Sequence, residues 1–160
     1  HLRRHRGLQV GEETTEFLKT SFVSAYLPDD ISKTIEVRGR DVQTGSPAAV
    51  EVTTGELYPV VEAVVRRIAA LVKDTLTELR PEVAADIYDR GVILTGGGAL
   101  LDGLDQYMRS YINLAVSVAE EPRYATVLGL VKMFDDPKLL ERVARNDLGI
   151  MQNAEIPFEV

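Results

Sequence analysis

The sequence predicts an α/β fold, and three observations carry that expectation. Apolar residues recur at helical spacing from Leu57 to Leu76. Two shorter stretches, "KTIEVRGRD" and "AAVEVTT", alternate Ile or Val with polar residues, the period of half-buried strands. From Gly91 onward, a short apolar strand, a glycine run, a helix, a second strand and another helix follow in the order of a βαβ unit, which places its strand-to-helix turn at the carboxyl edge of a parallel sheet.

The first element is a helix over "GEETTEFLKTSFVSA", Gly11 to Ala25, with Thr14 as a candidate cap and Phe17, Leu18 and Phe22 at helical spacing. Tyr26-Leu27-Pro28-Asp29-Asp30 breaks it. The two alternating stretches then form a β-hairpin whose loop, Val42 to Pro47, contains Gly45 and Pro47. Thr53-Thr54-Gly55-Glu56 has the spacing of a capping box and announces the long apolar stripe. Pro59 removes one internal helical hydrogen bond, so the expectation is a short helix before it and a long one after it. Pro81 opens a helical turn or two through Tyr88, which Gly91 closes. Val92-Ile93-Leu94 is a buried strand, followed by the glycine run, a helix to about Tyr111, a strand near Ala115 to Val118, and a helix from about Tyr124 to Phe134. A last helix, Lys138 to Arg145, precedes a tail that reads as irregular.

Composition narrows the function. A chain of 160 residues with 45% hydrophobic content supports one sizeable core. A formal charge of -7, with basic residues clustered only at Arg3, Arg4, His5 and Arg6, argues against nucleic acid as a partner, because neutralising phosphates needs clustered Lys and Arg. Without cysteine there are no disulfides, thiolate metal sites or Cys nucleophiles, in keeping with a reducing cytoplasm. No apolar run approaches the roughly 20 residues of a membrane-spanning helix. The chain starts at His1 rather than Met, which leads to the expectation that it is a piece of something longer.

The candidate chemistry centres on "GVILTGGGALLDGL". Glycines between a strand and a helix let backbone N–H groups approach a ligand's phosphate, and a helix N-terminus adds partial positive charge; the alternative is a tight turn that needs positive φ. Gly98 is followed by Ala99 and Leu100 rather than by Lys and Ser or Thr, which excludes a Walker-type phosphate loop. A dinucleotide fingerprint could use Gly96, Gly98 and the later Glu120, but Leu101 occupies its third glycine position. Glu16 and Lys19, three apart on one helix face, could grip a ribose or adenine, or form an ordinary intrahelical ion pair. Arg38 and Arg40 could bind an anion or lie on a solvated strand face. His1 and His5 have the i,i+4 spacing of helical metal ligands but no nearby third ligand, so no metal site is expected. No nucleophilic triad or carboxylate pair can be assembled, and no catalytic residue is assigned.

Together, "GEETTEFLKTSFVSAY", "EVRGRDVQTGSP", "EVTTGELYPVVEAV", "LRPEVAADIYDRGVILTGGGALLDGLDQYM" and "VAEEPRYATVLG" resemble, in this order, the bacterial actin family MreB. The resemblance runs from Gly11 to about Gly129; GGGA alone is shared with sugar kinases and heat-shock chaperones of the same superfamily. It implies part of an actin-like ATPase (ribonuclease H-like) domain II with an inserted α+β subdomain containing the hairpin. Residues 1–10 would end a preceding helix or linker, 11–80 form the outer part, 81–136 the inner βαβα unit, and 137–160 a C-terminal helix and tail.

Carried over position by position, the resemblance implies an adenosine-contacting helix at Glu16, Phe17, Leu18 and Lys19 and a second nucleotide loop at Gly96, Gly97, Gly98 and Ala99. It further implies ATP or ADP as cofactor, with Mg2+ accompanying the nucleotide and not ligated by this chain. It implies self-association into filaments, contacts with cell-shape and cell-wall machinery, and a cytoplasmic location, any membrane contact arising outside this stretch. The first phosphate loop, the water-positioning acid and the opposing phosphate loop are not among these residues, so the chain alone is expected not to hydrolyse ATP. Departures stand at Phe17, usually charged or polar in the family, at Val23, often glycine, and in the more apolar "YATVLGLVKMFDD". Two other readings remain: part of a sugar or acetate kinase of the same superfamily, or a non-catalytic actin-like scaffold.

Overall fold

The computed structural model of the chain describes residues 1–145. It divides into two compact units, His1–Pro122 and the segment beginning at Arg123.

The first unit opens with α1 (Leu2–His5) and the two-residue strand β1 (Leu8–Gln9). Helix α2 (Glu12–Ser21) follows; it ends four residues before the expected Ala25, as Phe22 leaves helical geometry. Strands β2 (Thr34–Asp41) and β3 (Pro47–Thr53) form the expected antiparallel hairpin, with Val37 opposite Val50 and Ile35 opposite Val52. Alternation along these strands puts Val37 and Val52 in the core. At the loop, the Asp41 carboxylate accepts the backbone N–H groups of Gln43 and Thr44 and the Thr44 hydroxyl. These bonds hold its pKa below the ordinary 3.8. The sheet has a third member, since β1 pairs antiparallel with β2, Leu8 facing Asp41 and Gln9 facing Arg40. The segment expected to end a preceding helix or linker therefore holds a short helix, an edge strand and a fully buried leucine, Leu8.

Helix α3 (Thr54–Thr77) runs unbroken through Pro59, contrary to the expected division. A helix-interior proline typically costs about 3 kcal/mol. Its neighbours offset that here: Thr53 accepts the Glu56 N–H at 3.0 Å, the Thr54 hydroxyl donates to the Asp30 carbonyl at 2.6 Å, and Leu57, Val65 and Ala69 are buried along one face. Only half of the capping box forms, because the Glu56 carboxylate turns to His1 Nε2 at 3.1 Å and Arg6 Nε at 3.4 Å.

Helix α4 (Pro81–Arg90) starts at Pro81, as expected, and ends at Gly91. Strands β4 (Val92–Leu94) and β5 (Val116–Val118) pair in parallel, with α5 (Leu104–Ile112) in the crossover between them. Two hydrophobic clusters result. Leu2, Leu8, Leu18, Phe22, Val37, Val52 and Leu57 fill the first, and Ala69, Met108 and Val116 the second. Leu57 and Ala69 both belong to α3, which thus runs through both clusters. A polar link ties α3 to α5: the Tyr107 hydroxyl donates to Glu62 Oε1 at 2.9 Å, and Arg66 Nε donates to the same oxygen at 2.8 Å.

The second unit contains α6 (Ala125–Asp135) and α7 (Pro137–Ala144). Asp136 caps α7, its carboxylate accepting the N–H groups of Lys138 and Leu139. The expected irregular tail lies outside the described residues.

Candidate functional site

The strand β4 delivers the chain to the glycine run, but the helix expected to begin there does not. Gly97–Leu100 form one 3-10 turn, closed by Ala99 N–H to the Gly96 carbonyl and Leu101 N–H to the Gly98 carbonyl, both 3.1 Å. The α-helix starts only at Leu104, after Asp102 and Gly103. No long helix places its N-terminal partial charge at the glycines, and the polar groups the run offers are the backbone of the turn itself.

The three glycines have different reasons to be glycine. Gly96 sits at φ 83° and ψ 169°, a region nearly closed to other residues, and its N–H donates to the Pro122 carbonyl at 2.6 Å. Its identity is a backbone requirement. Gly97 and Gly98 lie outside the positive-φ region, and a Cβ built on either meets no atom within 4 Å. As the first residues of a short helical turn, their N–H groups have no acceptor within the turn and none elsewhere among the described residues. Nothing internal to the fold asks for glycine at these two positions. Ala99, by contrast, is buried and anchors the turn.

Helix α2 separates its predicted residues by face. Glu16, Phe17 and Lys19 are presented to solvent, with Lys19 Nζ and Glu16 Oε2 paired at 2.6 Å and both side chains more than half exposed. The ordinary ion pair is therefore present. Leu18 is buried in the first cluster, where it holds the helix to the sheet. Its side chain is turned into that cluster, away from the exposed face that carries Glu16, Phe17 and Lys19.

The predicted segments are joined by residues that sequence reasoning passed over. Beyond α2 the chain reaches Ser24 and Ala25; the Ala25 N–H donates to the Asp102 carbonyl at 2.7 Å and the Ser24 hydroxyl to the same oxygen at 3.2 Å. Asp102 stands two residues past the end of the glycine turn, after Leu101. The glycine at 103, inside "LLDGLD", was the available signal.

Other candidates are accounted for locally. Arg38 Nε bonds Glu36 at 2.7 Å and Arg40 Nη2 bonds Gln9 Oε1 at 3.2 Å, so both serve the sheet surface. His1 and His5 stack with ring centroids 4.8 Å apart. Among the described residues, no group of three or more His, Cys, Asp or Glu could hold a metal ion. Lys19 also lines a cleft of about 520 Å³ among α1, β1, α2 and α3, walled by Leu2, Val10, Leu57 and Val60. Among the described residues, no helix is long and apolar enough to cross a membrane.

A family model described as MreB/Mbl protein matches residues 1–142. The chain is 38% identical over 136 residues to the cell shape-determining protein Mbl of Bacillus subtilis (strain 168), covering 85% of this chain and 40% of that protein. It is 38% identical over 122 residues to the cell shape-determining protein MreB of Escherichia coli (strain K12), covering 76% of this chain and 35% of that one. Crystal structures of MreB5 of Spiroplasma citri bound to AMPPNP and to ADP superpose with TM-scores of 0.78 and 0.79 at 26% identity, covering 92% and 91% of this chain and 43% of each of theirs. The chain thus spans less than half the length of each of these relatives.

Proposed function

The chain belongs to the MreB/Mbl family, and we propose that it is the C-terminal, adenosine-side part of an actin-like protein that binds ATP or ADP, assembles into cytoplasmic filaments and supports cell-shape determination. The carrying observation is the open space at Gly97 and Gly98: two glycines that the fold does not need, with unused N–H groups, on the turn after β4. Backbone stripped of side chains suits close approach by a polar ligand, and N–H groups at the head of a turn suit its oxygens. The relatives solved with AMPPNP and ADP supply the ligand class.

In this reading the exposed Glu16 and Lys19 contact the nucleoside, Phe17 lies beside them, and Gly97 and Gly98 receive the other side of the same molecule. Leu18 and Ala99 anchor the two segments in the cores, and Gly96 sets the direction of the turn. Mg2+ would accompany the nucleotide rather than be ligated here. The nucleotide's phosphates supply the cleavable bond. The described residues bind and orient, and none is assigned to bond cleavage. Contacts with cell-shape and cell-wall proteins belong to the same proposal. The family assignment displaces the sugar- or acetate-kinase alternative.

The test is titration of the full-length protein with fluorescent ADP. Gly97→Val, which puts a branched side chain into the open space, is expected to weaken binding at least about tenfold, a change near 1.4 kcal/mol, while the circular dichroism spectrum stays unchanged. Undiminished affinity in a folded Gly97→Val variant overturns the reading.

A further inference from the structure

The two proposed nucleotide-contacting segments come from distant parts of the chain, and both must face one ligand. We propose that the contact between Ser24-Ala25 and Asp102-Gly103 is the joint that fixes α2 and the glycine turn in a common register, with Gly103 and Ser24 as positioning residues for nucleotide binding. This inference rests on the nucleotide reading above.

The geometry is short on both sides. Ser21 ends α2, and the Leu18 carbonyl, one residue before Lys19, accepts the N–H groups of Phe22 and Val23 at 3.0 and 3.1 Å. The chain therefore stays tied to the helix until just before Ser24. Ala25 is fully buried, so the joint is packed as well as hydrogen-bonded. On the other side, Gly98 bonds Leu101, Leu101 bonds Leu104, and Asp102 lies between them. A displacement at the joint has no slack loop in which to dissipate before it reaches Lys19 or Gly98.

Gly103 sets how closely the two sides approach. It adopts φ 69° and ψ 6°, the left-handed region, and a Cβ there would lie 2.7 Å from Tyr26 Cβ, 2.8 Å from Ser24 Oγ and 2.9 Å from the Tyr26 backbone nitrogen. Real Cβ atoms essentially never approach so closely, and two of these three atoms are on or next to the backbone. Any side chain at 103 must push the α2 extension away from the turn. Ser24 Oγ occupies the centre of the joint, donating to the Asp102 carbonyl at 3.2 Å and accepting the Tyr26 N–H at 3.2 Å. Close packing on both sides makes a small local displacement transmit rather than dissipate.

The experiment is a double-mutant cycle on ADP affinity in the full-length protein, pairing Gly103→Ala with Lys19→Ala. A joint that aligns the Lys19 grip with the glycine turn predicts that Gly103→Ala weakens ADP binding about tenfold in the wild-type background and less than about twofold once Lys19 is alanine. A merely structural defect lowers affinity by the same factor in both backgrounds, and that result overturns the proposal, as does unchanged affinity in the single variant. If Gly103→Ala does not fold, Ser24→Ala, which removes both hydroxyl bonds and adds no atoms, is taken through the same cycle with the same two criteria and a threefold expected loss. Failure of the nucleotide reading itself has a separate signature: Lys19→Ala and Gly97→Val both leave ADP affinity at the wild-type value.

Discussion

Alanine placed in turn at Gly96, Gly97 and Gly98 should separate what the fold needs from what the ligand needs. At Gly96 the backbone conformation, φ 83° and ψ 169°, belongs to a region that costs a non-glycine residue roughly 1–3 kcal/mol. At Gly97 and Gly98 there is neither a positive φ nor an atom within 4 Å of the new Cβ. Replacing glycine at such a compatible position stabilises by about 0.4–1 kcal/mol, through reduced freedom of the unfolded chain. The stability order should therefore be Gly97→Ala and Gly98→Ala at or above wild type, with Gly96→Ala below it. For a urea slope of about 2 kcal/mol/M, Gly96→Ala lowers the unfolding midpoint by about 0.5–1.5 M.

Binding should follow the opposite order. A methyl group at 97 or 98 occupies the space through which the backbone N–H groups are reached, and loss of one charge-assisted hydrogen bond costs about 1.5–3 kcal/mol, or about tenfold or more in affinity. Urea unfolding followed by far-ultraviolet circular dichroism, without nucleotide, reads the first quantity. Titration with fluorescent ADP reads the second. If Gly97→Ala and Gly98→Ala destabilise as much as Gly96→Ala, the glycines serve an internal requirement and the inference from open space fails. Full ADP affinity in both stable variants refutes it from the other side.

Two further outcomes follow from the structure. The hydrogen bond from Tyr107, and then the bonds and charge of Arg66, hold the Glu62 carboxyl below its ordinary 4.5. A carboxylate with a depressed folded-state pKa contributes stability that is complete above its unfolded value and is lost as pH falls through the lower folded value. Tyr107→Phe removes the largest cause, so the loss of stability on acidification below about pH 4.5 should become shallower; an unchanged slope in urea midpoints across that range would show that the link carries nothing. The pair β4–β5 leaves Ile93 44% and Val118 36% exposed, and among the described residues no further strand pairs with either outer edge. Such edges invite pairing with another chain, so the 160-residue chain in isolation is expected to self-associate, and a monodisperse monomer by size-exclusion light scattering contradicts this.

How far the sequence disclosed this molecule depended on whether local pattern or distant packing decided each feature. The hairpin was legible because Ile35, Val37, Val50 and Val52 alternate and pair across from one another. The parallel β4–β5 pair was legible because a helix between two strands returns the chain in the same direction. Strand β1 was not, since two residues carry no period and its existence depends on β2 being beside it. Pro59 misled because its local cost is visible while the burial of Val65 and Ala69 that offsets it is not. At the site, spacing placed Glu16 and Lys19 together but could not tell that Leu18, between them, turns inward. The joint at Ser24 and Asp102 spans 78 positions, and no local pattern announces a contact of that reach.

The two observations that first counted against a binding site also explain how one could work. The Glu16–Lys19 ion pair is the ordinary outcome for residues three apart on a helix, and pairs of this kind are worth only about 0.2–0.5 kcal/mol. A bond so weak, between side chains more than half exposed, holds both groups in place without resisting a ligand that offers better partners. The 3-10 turn likewise removes the long-helix dipole, yet it frees the first N–H groups from internal bonding and leaves no side chain above them. Binding in such a site would depend less on the strength of either segment than on their being held at one separation. The closely packed contact at Gly103, rather than any single contacting side chain, is then the part of the site least tolerant of an added atom.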